Sequence, residues 1–250
     1  MKKFTLIVFF LFVLSGCGQA ENEASSDLYI AAASDLVVAF SEIEPLFEEK
    51  FNVSLTISYG STGQLTEQIN NGAPFDVFAA ANADFIDDLE KNNRILADTR
   101  EVYALGKINL ASTDSRFSLH SIEDLRSDDI KKIAIANPDH APYGKAAKQA
   151  LQTSLLWDEV QPKLIYGRNI ADTLTQLETG NADVAIIASS LTNENLTYIP
   201  IDVDLYEPLH QTIAVIDSTK NEELSRLFVD FILTDAKPVL ESYGFDFPKE

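Results

Sequence analysis

The stretch Ile30-Ala-Ala-Ala-Ser34 decides the fold. An apolar run closes on a serine, and the residues that follow place Leu36, Phe40, Ile43 and Phe47 at helical spacing. That is a strand passing straight into a helix. The same reading applies to Ser58-Tyr-Gly-Ser61, to Ala141-Pro-Tyr143-Gly144 and to Tyr166-Gly-Arg-Asn169-Ile170. A helix start exposes backbone N–H groups that have no partner within the helix, and the helix dipole adds partial positive charge there. One such start is a modest anion site. Four in one chain, two in each half, imply a cleft lined with N–H donors and suited to a small oxyanion.

Outward from these turns, strand and helix signals alternate along the whole chain, the pattern of an α/β fold. Strands are predicted over 28–33, 53–59, 76–80, 103–111, 132–136, 163–166, 184–188 and 212–216. Helices are predicted over 35–50, 62–70, 83–91, 144–153, 170–179 and 222–240, the last interrupted near Pro238. Asn71-Gly72 and Gly180-Asn181 read as helix ends, where glycine supplies a left-handed residue. Two lobes with a double crossover organise these elements. The first takes residues 27–103 and 217–250 and the second 104–216, with crossover strands near Tyr103 and Ile216 as the hinge. Ligands of open α/β sheets bind beyond the C-terminal ends of strands, where all four turns sit.

Residues 1–16 read as a secretory signal: Lys2 and Lys3, then an apolar run from Phe4 to Leu14 that is shorter than the roughly 20 residues a spanning helix needs. Leu14-Ser15-Gly16-Cys17 resembles a lipobox, which implies cleavage before Cys17 and a lipid on its thiol. Residues 17–26 then form a polar tether. Cys17 is the single cysteine, so no internal disulfide is possible. Without Lys2 and Lys3, the 19 Lys and Arg fall to 17 against 39 Asp and Glu. A surface this acidic excludes nucleic acid as a partner and repels anionic lipid headgroups, so membrane attachment falls to the lipid. It also repels anions at long range. An anionic ligand must therefore be held by short-range hydrogen bonds, because exposed charge is screened beyond about 8 Å.

The quoted residues, in this order and spacing, resemble the molybdate-binding proteins of the periplasmic binding-protein superfamily, receptors of ABC transporters for molybdate and tungstate. The matching pieces are Ala31-Ala-Ala-Ser34, Gly60-Ser61-Thr-Gly-Gln-Leu65, Gly72-Ala-Pro74-Phe-Asp76-Val-Phe78, Asn137-Pro-Asp-His-Ala-Pro-Tyr-Gly144 and Glu241-Ser-Tyr-Gly-Phe245. The resemblance covers almost all of 28–247. It implies a two-lobed type II periplasmic binding-protein fold that closes on one dehydrated tetrahedral oxyanion. An extracytoplasmic, lipid-anchored, monomeric receptor that is not an enzyme and has no cofactor is expected, and by the resemblance it serves a membrane permease and its ATPase. By the same resemblance Ser34 and Ser61 donate hydroxyl and backbone N–H, while Tyr143 and Ile170 donate backbone N–H alone. Tyr143→Phe and Ile170→Val are then expected to change little.

The chain departs from the family pattern at Ala188, where some members carry a donor tyrosine; Ser190 or a water is the expected substitute. Asp35 sits beside the first serine and is expected to cap its own helix rather than face an anion. Arg168 is expected to face solvent, and His140 to lie in a loop at the pocket rim. Ser34 and Ser61 also fit as ordinary N-caps, the common role of serine at such junctions. Among other functions, a receptor for sulfate or phosphate stays open, with Asp35 a possible acceptor for a protonated phosphate. A metal-delivery protein needs clustered ligands, and His120, His140 and His210 are dispersed, so no metal site is assigned. A serine hydrolase needs a nucleophile elbow that Gly60-Ser61-Thr62-Gly63 lacks, and no catalytic residue is assigned.

Overall fold

The computed structural model describes residues 27–248. The signal segment, Cys17 and the tether lie outside the described residues. The chain opens with β1 (Asp27–Ala33), a 3-10 turn (Ser34–Leu36), α1 (Val37–Phe51), β2 (Ser54–Gly60), α2 (Thr62–Asn70), β3 (Val77–Ala80), α3 (Ala83–Lys91) and β4 (Glu101–Gly106). It continues through β5 (Ile108–Ser112), β6 (Ile133–Ala136), α4 (Pro142–Thr153), α5 (Trp157–Val160), β7 (Leu164–Gly167), α6 (Ile170–Glu178), β8 (Val184–Ala188) and β9 (Thr197–Pro200). It ends with β10 (Leu209–Val215), α7 (Glu222–Leu233) and α8 (Lys237–Ser242).

These strands build two five-stranded sheets, ordered β2-β1-β3-β10-β4 and β7-β6-β8-β5-β9. In the first, β1 runs parallel to β2 and β3, and β10 is antiparallel to β3 and β4. In the second, β6 runs parallel to β7 and β8, and β5 is antiparallel to β8 and β9. Both faces of β1 are covered. Leu28 and Ile30 pack with Phe40, Phe47 and Phe228 on one side, and Ala31 packs with Leu65, Phe78 and Ile86 on the other. This is why the strand reads as an almost continuous apolar run. Gly72 and Gly180 take φ of 85° and 73° just beyond α2 and α6, the left-handed residues that those helix ends require.

The structure corrects the sequence reading in four places. The single strand expected over 103–111 is two: β4 belongs to the first sheet and β5 to the second, and the chain changes lobe at Lys107. The strand near 212–216 belongs to the first sheet, pairing Thr212 with Ala80 and Val215 with Val77. The return crossover therefore precedes Leu209, and the hinge expected at Ile216 is displaced. Hydropathy cannot detect this, because a central strand buried on both faces reads the same in either lobe. The break in the last helix falls at residues 234–236, and Pro238 lies in the first turn of α8 rather than at the break. The edge strand β9 had no signal, being short and mostly exposed.

The C-terminal helices are held to the first lobe by aromatic packing. Phe47 of α1 meets Phe228 and Phe231 of α7 edge-on, with ring centroids 5.1 and 5.3 Å apart. Phe228→Ala is expected to lower unfolding free energy by about 3–5 kcal/mol, read as a lower urea midpoint. An unchanged midpoint would mean that α7 contributes nothing to this core.

Candidate functional site

Each of the four turns delivers a residue to the same place. Ser34 follows β1 directly, Ser61 follows β2 and is the N-cap of α2, Tyr143 lies in the first turn of α4, and Ile170 is the first residue of α6. All four line one small cavity between the lobes, about 10 Å³, with Asp35, Gly60, Thr62 and Ala81 from the first lobe beside them. One water needs roughly 10–15 Å³ on this measure, so in this conformation the space excludes a sugar or peptide. The N–H groups of Tyr143 and Ile170 sit in first helical turns, so they have no intrahelical acceptor. No Lys, Arg or His lines the cavity. A larger groove, lined by Lys107, Tyr198 and Tyr243 among others, shares none of these lining residues.

Neither serine caps its own helix through its side chain. Both hydroxyls instead turn toward the opposite lobe. Ser61 Oγ donates to the His140 carbonyl at 2.6 Å, and Ser34 Oγ accepts from the Ala171 N–H at 3.4 Å. The Gly63 N–H also donates to the His140 carbonyl, at 2.9 Å. A Cβ on Gly63 would lie 2.7 Å from that oxygen, so only glycine allows this approach. The His140 ring stands 2.8 Å from Ser61 Oγ through Nδ1, which places a serine and a histidine together as sequence reasoning did not. This is not a hydrolytic pair: the hydroxyl proton is directed at the carbonyl, and the ring has no carboxylate partner among the described hydrogen bonds.

Asp35 overturns its expected capping role. Its side chain makes no helix cap, is fully buried and lines the cavity. Oδ2 accepts from the Tyr143 hydroxyl at 2.9 Å, that hydroxyl accepts from Gln211 Nε2 at 3.1 Å, and Oδ1 has no partner. Burial, opposed by these hydrogen bonds, pushes the carboxyl from its ordinary value of 3.8 up to about 7. Ser190 does not reach the cavity; its hydroxyl donates to the Asp35 carbonyl across the lobe interface at 2.7 Å. Ala188 ends β8 with no polar side chain to offer. Arg168 is 83% exposed and paired with Asp172, so it does not offset Asp35.

Tyr143 was expected to matter only through its backbone. Its buried hydroxyl instead joins α4 of the second lobe to Asp35 and Gln211 of the first. Sequence reasoning missed Gln211 and Tyr103, which meets Gln211 Oε1 at 3.5 Å. The available signal was a polar Gln inside the apolar run of β10. Among the described residues, no group of three or more His, Cys, Asp or Glu is placed to hold a metal ion.

Two α/β lobes joined by two crossovers, meeting at a small cavity walled by helix starts, define an extracytoplasmic solute-binding protein. The family of bacterial extracellular solute-binding proteins matches residues 28–246, and the chain belongs to it. It is 32% identical over 229 residues to the molybdate-binding protein ModA of Azotobacter vinelandii, covering 88% of this chain and 90% of that one. It is 30% identical to ModA of Rhodobacter capsulatus, covering 91% of each. The solved structure of the Azotobacter vinelandii periplasmic molybdate-binding protein superposes with a TM-score of 0.85 at 25% identity, over 89% of this chain and all of that one. These proteins bind solutes rather than transform them, and this chain is likewise not an enzyme.

Two outcomes are expected of the buried network. Tyr143→Phe removes the donor to Asp35 and is expected to cost about 1–3 kcal/mol of stability in urea unfolding; no loss would show the bond to be inconsequential. The folded chain holds a proton on Asp35 that the unfolded chain releases near 3.8. The stability this proton supplies is complete below that value and is lost as pH rises through about 7. Wild type is therefore expected to lose on the order of 4 kcal/mol from this group between pH 4 and 7, whereas Asp35→Asn loses none of it. Identical pH profiles for the two would contradict the burial of this carboxyl.

Proposed function

We propose that the protein captures molybdate, or tungstate, as a dehydrated tetrahedral dianion between its lobes and delivers it to an ABC permease driven by its ATPase. The observation that carries this reading is the disposition of Ser34 and Ser61. Both leave their own helices uncapped and face the helix starts of the opposite lobe, around a cavity with no basic side chain. Such a site offers donors fixed in direction, which suits an anion that stays deprotonated at neutral pH. Hydrogen bonds to a charged group contribute about 1.5–3 kcal/mol each. Several together offset desolvation of a dianion, and cavity radius then discriminates among ions that all present four oxygens. Two relatives at 30–32% identity that bear the name of molybdate-binding protein support the choice of ion. Cys17, in its lipobox-like context, is proposed as the lipid anchor that holds a monomeric receptor at the outer face of the membrane. No helix among the described residues is long and apolar enough to cross a membrane.

A second reading is kept because of Asp35. An unpartnered buried carboxylate oxygen is an acceptor that a protonated phosphate could use. Calorimetric titration of the chain from Gly18 onward with molybdate, tungstate, sulfate and phosphate separates the two. One-to-one binding of molybdate and tungstate, with sulfate and phosphate at least about a hundredfold weaker (roughly 2.7 kcal/mol), is expected. Phosphate or sulfate ahead of molybdate would reassign the ligand. Ser34→Ala and Ser61→Ala are each expected to weaken binding by about 1–3 kcal/mol without unfolding the chain.

A further inference from the structure

Asp35 is surrounded on every side without meeting a cation. Tyr143 reaches its Oδ2 from α4, Gln211 stands behind that hydroxyl on β10, and Tyr103 stands behind Gln211 on β4. Ser190, from the turn after β8, contacts only its backbone carbonyl. The two titratable neighbours, Tyr103 and Tyr143, are buried and pushed well above the ordinary tyrosine value, so both stay neutral. The carboxyl thus has one close donor on one oxygen, and its other oxygen is buried and bare. Its residue also forms part of the wall of the cavity that Ser34, Ser61, Tyr143 and Ile170 line. An ionised carboxylate on that residue would stand close to a dianion held in the cavity, with no positive side chain among the cavity-lining residues.

We propose that Asp35 is a proton-carrying residue of the site, and that each dianionic oxyanion enters the closed cleft together with one proton taken from solvent onto this carboxyl. The inference rests on the oxyanion reading above and deepens it. The step balances simply: carboxylate and proton become carboxylic acid, the oxyanion keeps both charges, and no bond to it forms or breaks. Protonation removes the negative charge from the wall and turns an unpartnered acceptor into a potential donor. The buried carboxyl already titrates near 7, and a dianion beside it raises that value further, since a like charge disfavours the ionised form. The occupied protein therefore binds the proton more tightly than the empty one. By reciprocity, oxyanion affinity falls as pH rises above the empty protein's value, by up to about tenfold per pH unit for one proton.

Molybdate binding to wild type and Asp35→Asn is measured by calorimetry from pH 6 to 9, and at pH 7.5 in buffers of different ionisation enthalpy. Wild type is expected to lose affinity by several-fold to about tenfold per pH unit above neutrality. It is also expected to take a substantial fraction of one proton from the buffer per ion bound. Asp35→Asn keeps the shape and hydrogen-bonding reach of the protonated acid without its titration. It is expected to bind as tightly at pH 8 as at pH 7, with no proton uptake. Wild-type binding without proton uptake, or an unchanged pH dependence in Asp35→Asn, would overturn the inference while leaving the oxyanion reading intact. Absence of binding by any tetrahedral oxyanion would overturn both. The buffer series on wild type decides the matter even if the variant fails to fold.

Discussion

The carbonyl of His140 accepts from the Gly63 N–H and the Ser61 hydroxyl at once, and this pair of hydrogen bonds sets how closely the two lobes meet. Backbone touches backbone there, which only a glycine permits. At Gly106, beside the first crossover, a Cβ would fall 2.4 Å from the Tyr143 hydroxyl, so the side chain that spans the lobes also depends on a missing methyl group. With both approaches in place, helix starts that belong to different sheets converge on one cavity. Relaxing either would separate those helix starts.

This closeness resolves the tension in the composition. The chain carries a formal net charge of −20, which opposes the approach of any anion. No basic side chain lines the cavity, so under the proposed function attraction falls to oriented dipoles: N–H groups at helix starts and two hydroxyls. Dipoles of this kind act over a few ångströms and need exclusion of water to be effective. The acidic surface and the neutral donor set are compatible because they work at different ranges.

Much of this was legible in the sequence. A serine at a strand end, followed by helical spacing, pointed to Ser34 and Ser61, the family resemblance pointed to Tyr143 and Ile170, and the structure brings all four to one cavity. The helix ends at Gly72 and Gly180 announced themselves by residue type, because a left-handed residue is local chemistry. What stayed hidden was set by tertiary partners. The sheet that β10 joins depends on pairing with β3 and β4, across more than a hundred residues of chain in each case. The orientations of Asp35, Tyr143 and Gln211 depend on one another, and no one of the three local sequences carries that information. Asp35 was misassigned for this reason: an aspartate at a helix start most often caps it, and here a tyrosine from the other lobe claims the carboxyl instead.

The place of β10 also bears on how the molecule is assembled. It lies between β3 and β4 in the first sheet, yet it follows every strand of the second lobe in the chain. The second sheet is built from one continuous stretch, so in a polypeptide that emerges N-terminus first it has all its strands before the first sheet does. Until Leu209–Val215 arrives, β4 has no partner and one edge of β3 is bare, the condition under which strands pair wrongly or aggregate. The late strand is also the one that carries Gln211. The buried contacts behind the cavity therefore form only after the last strand arrives, and a binding-competent cleft marks a chain in which both sheets are complete.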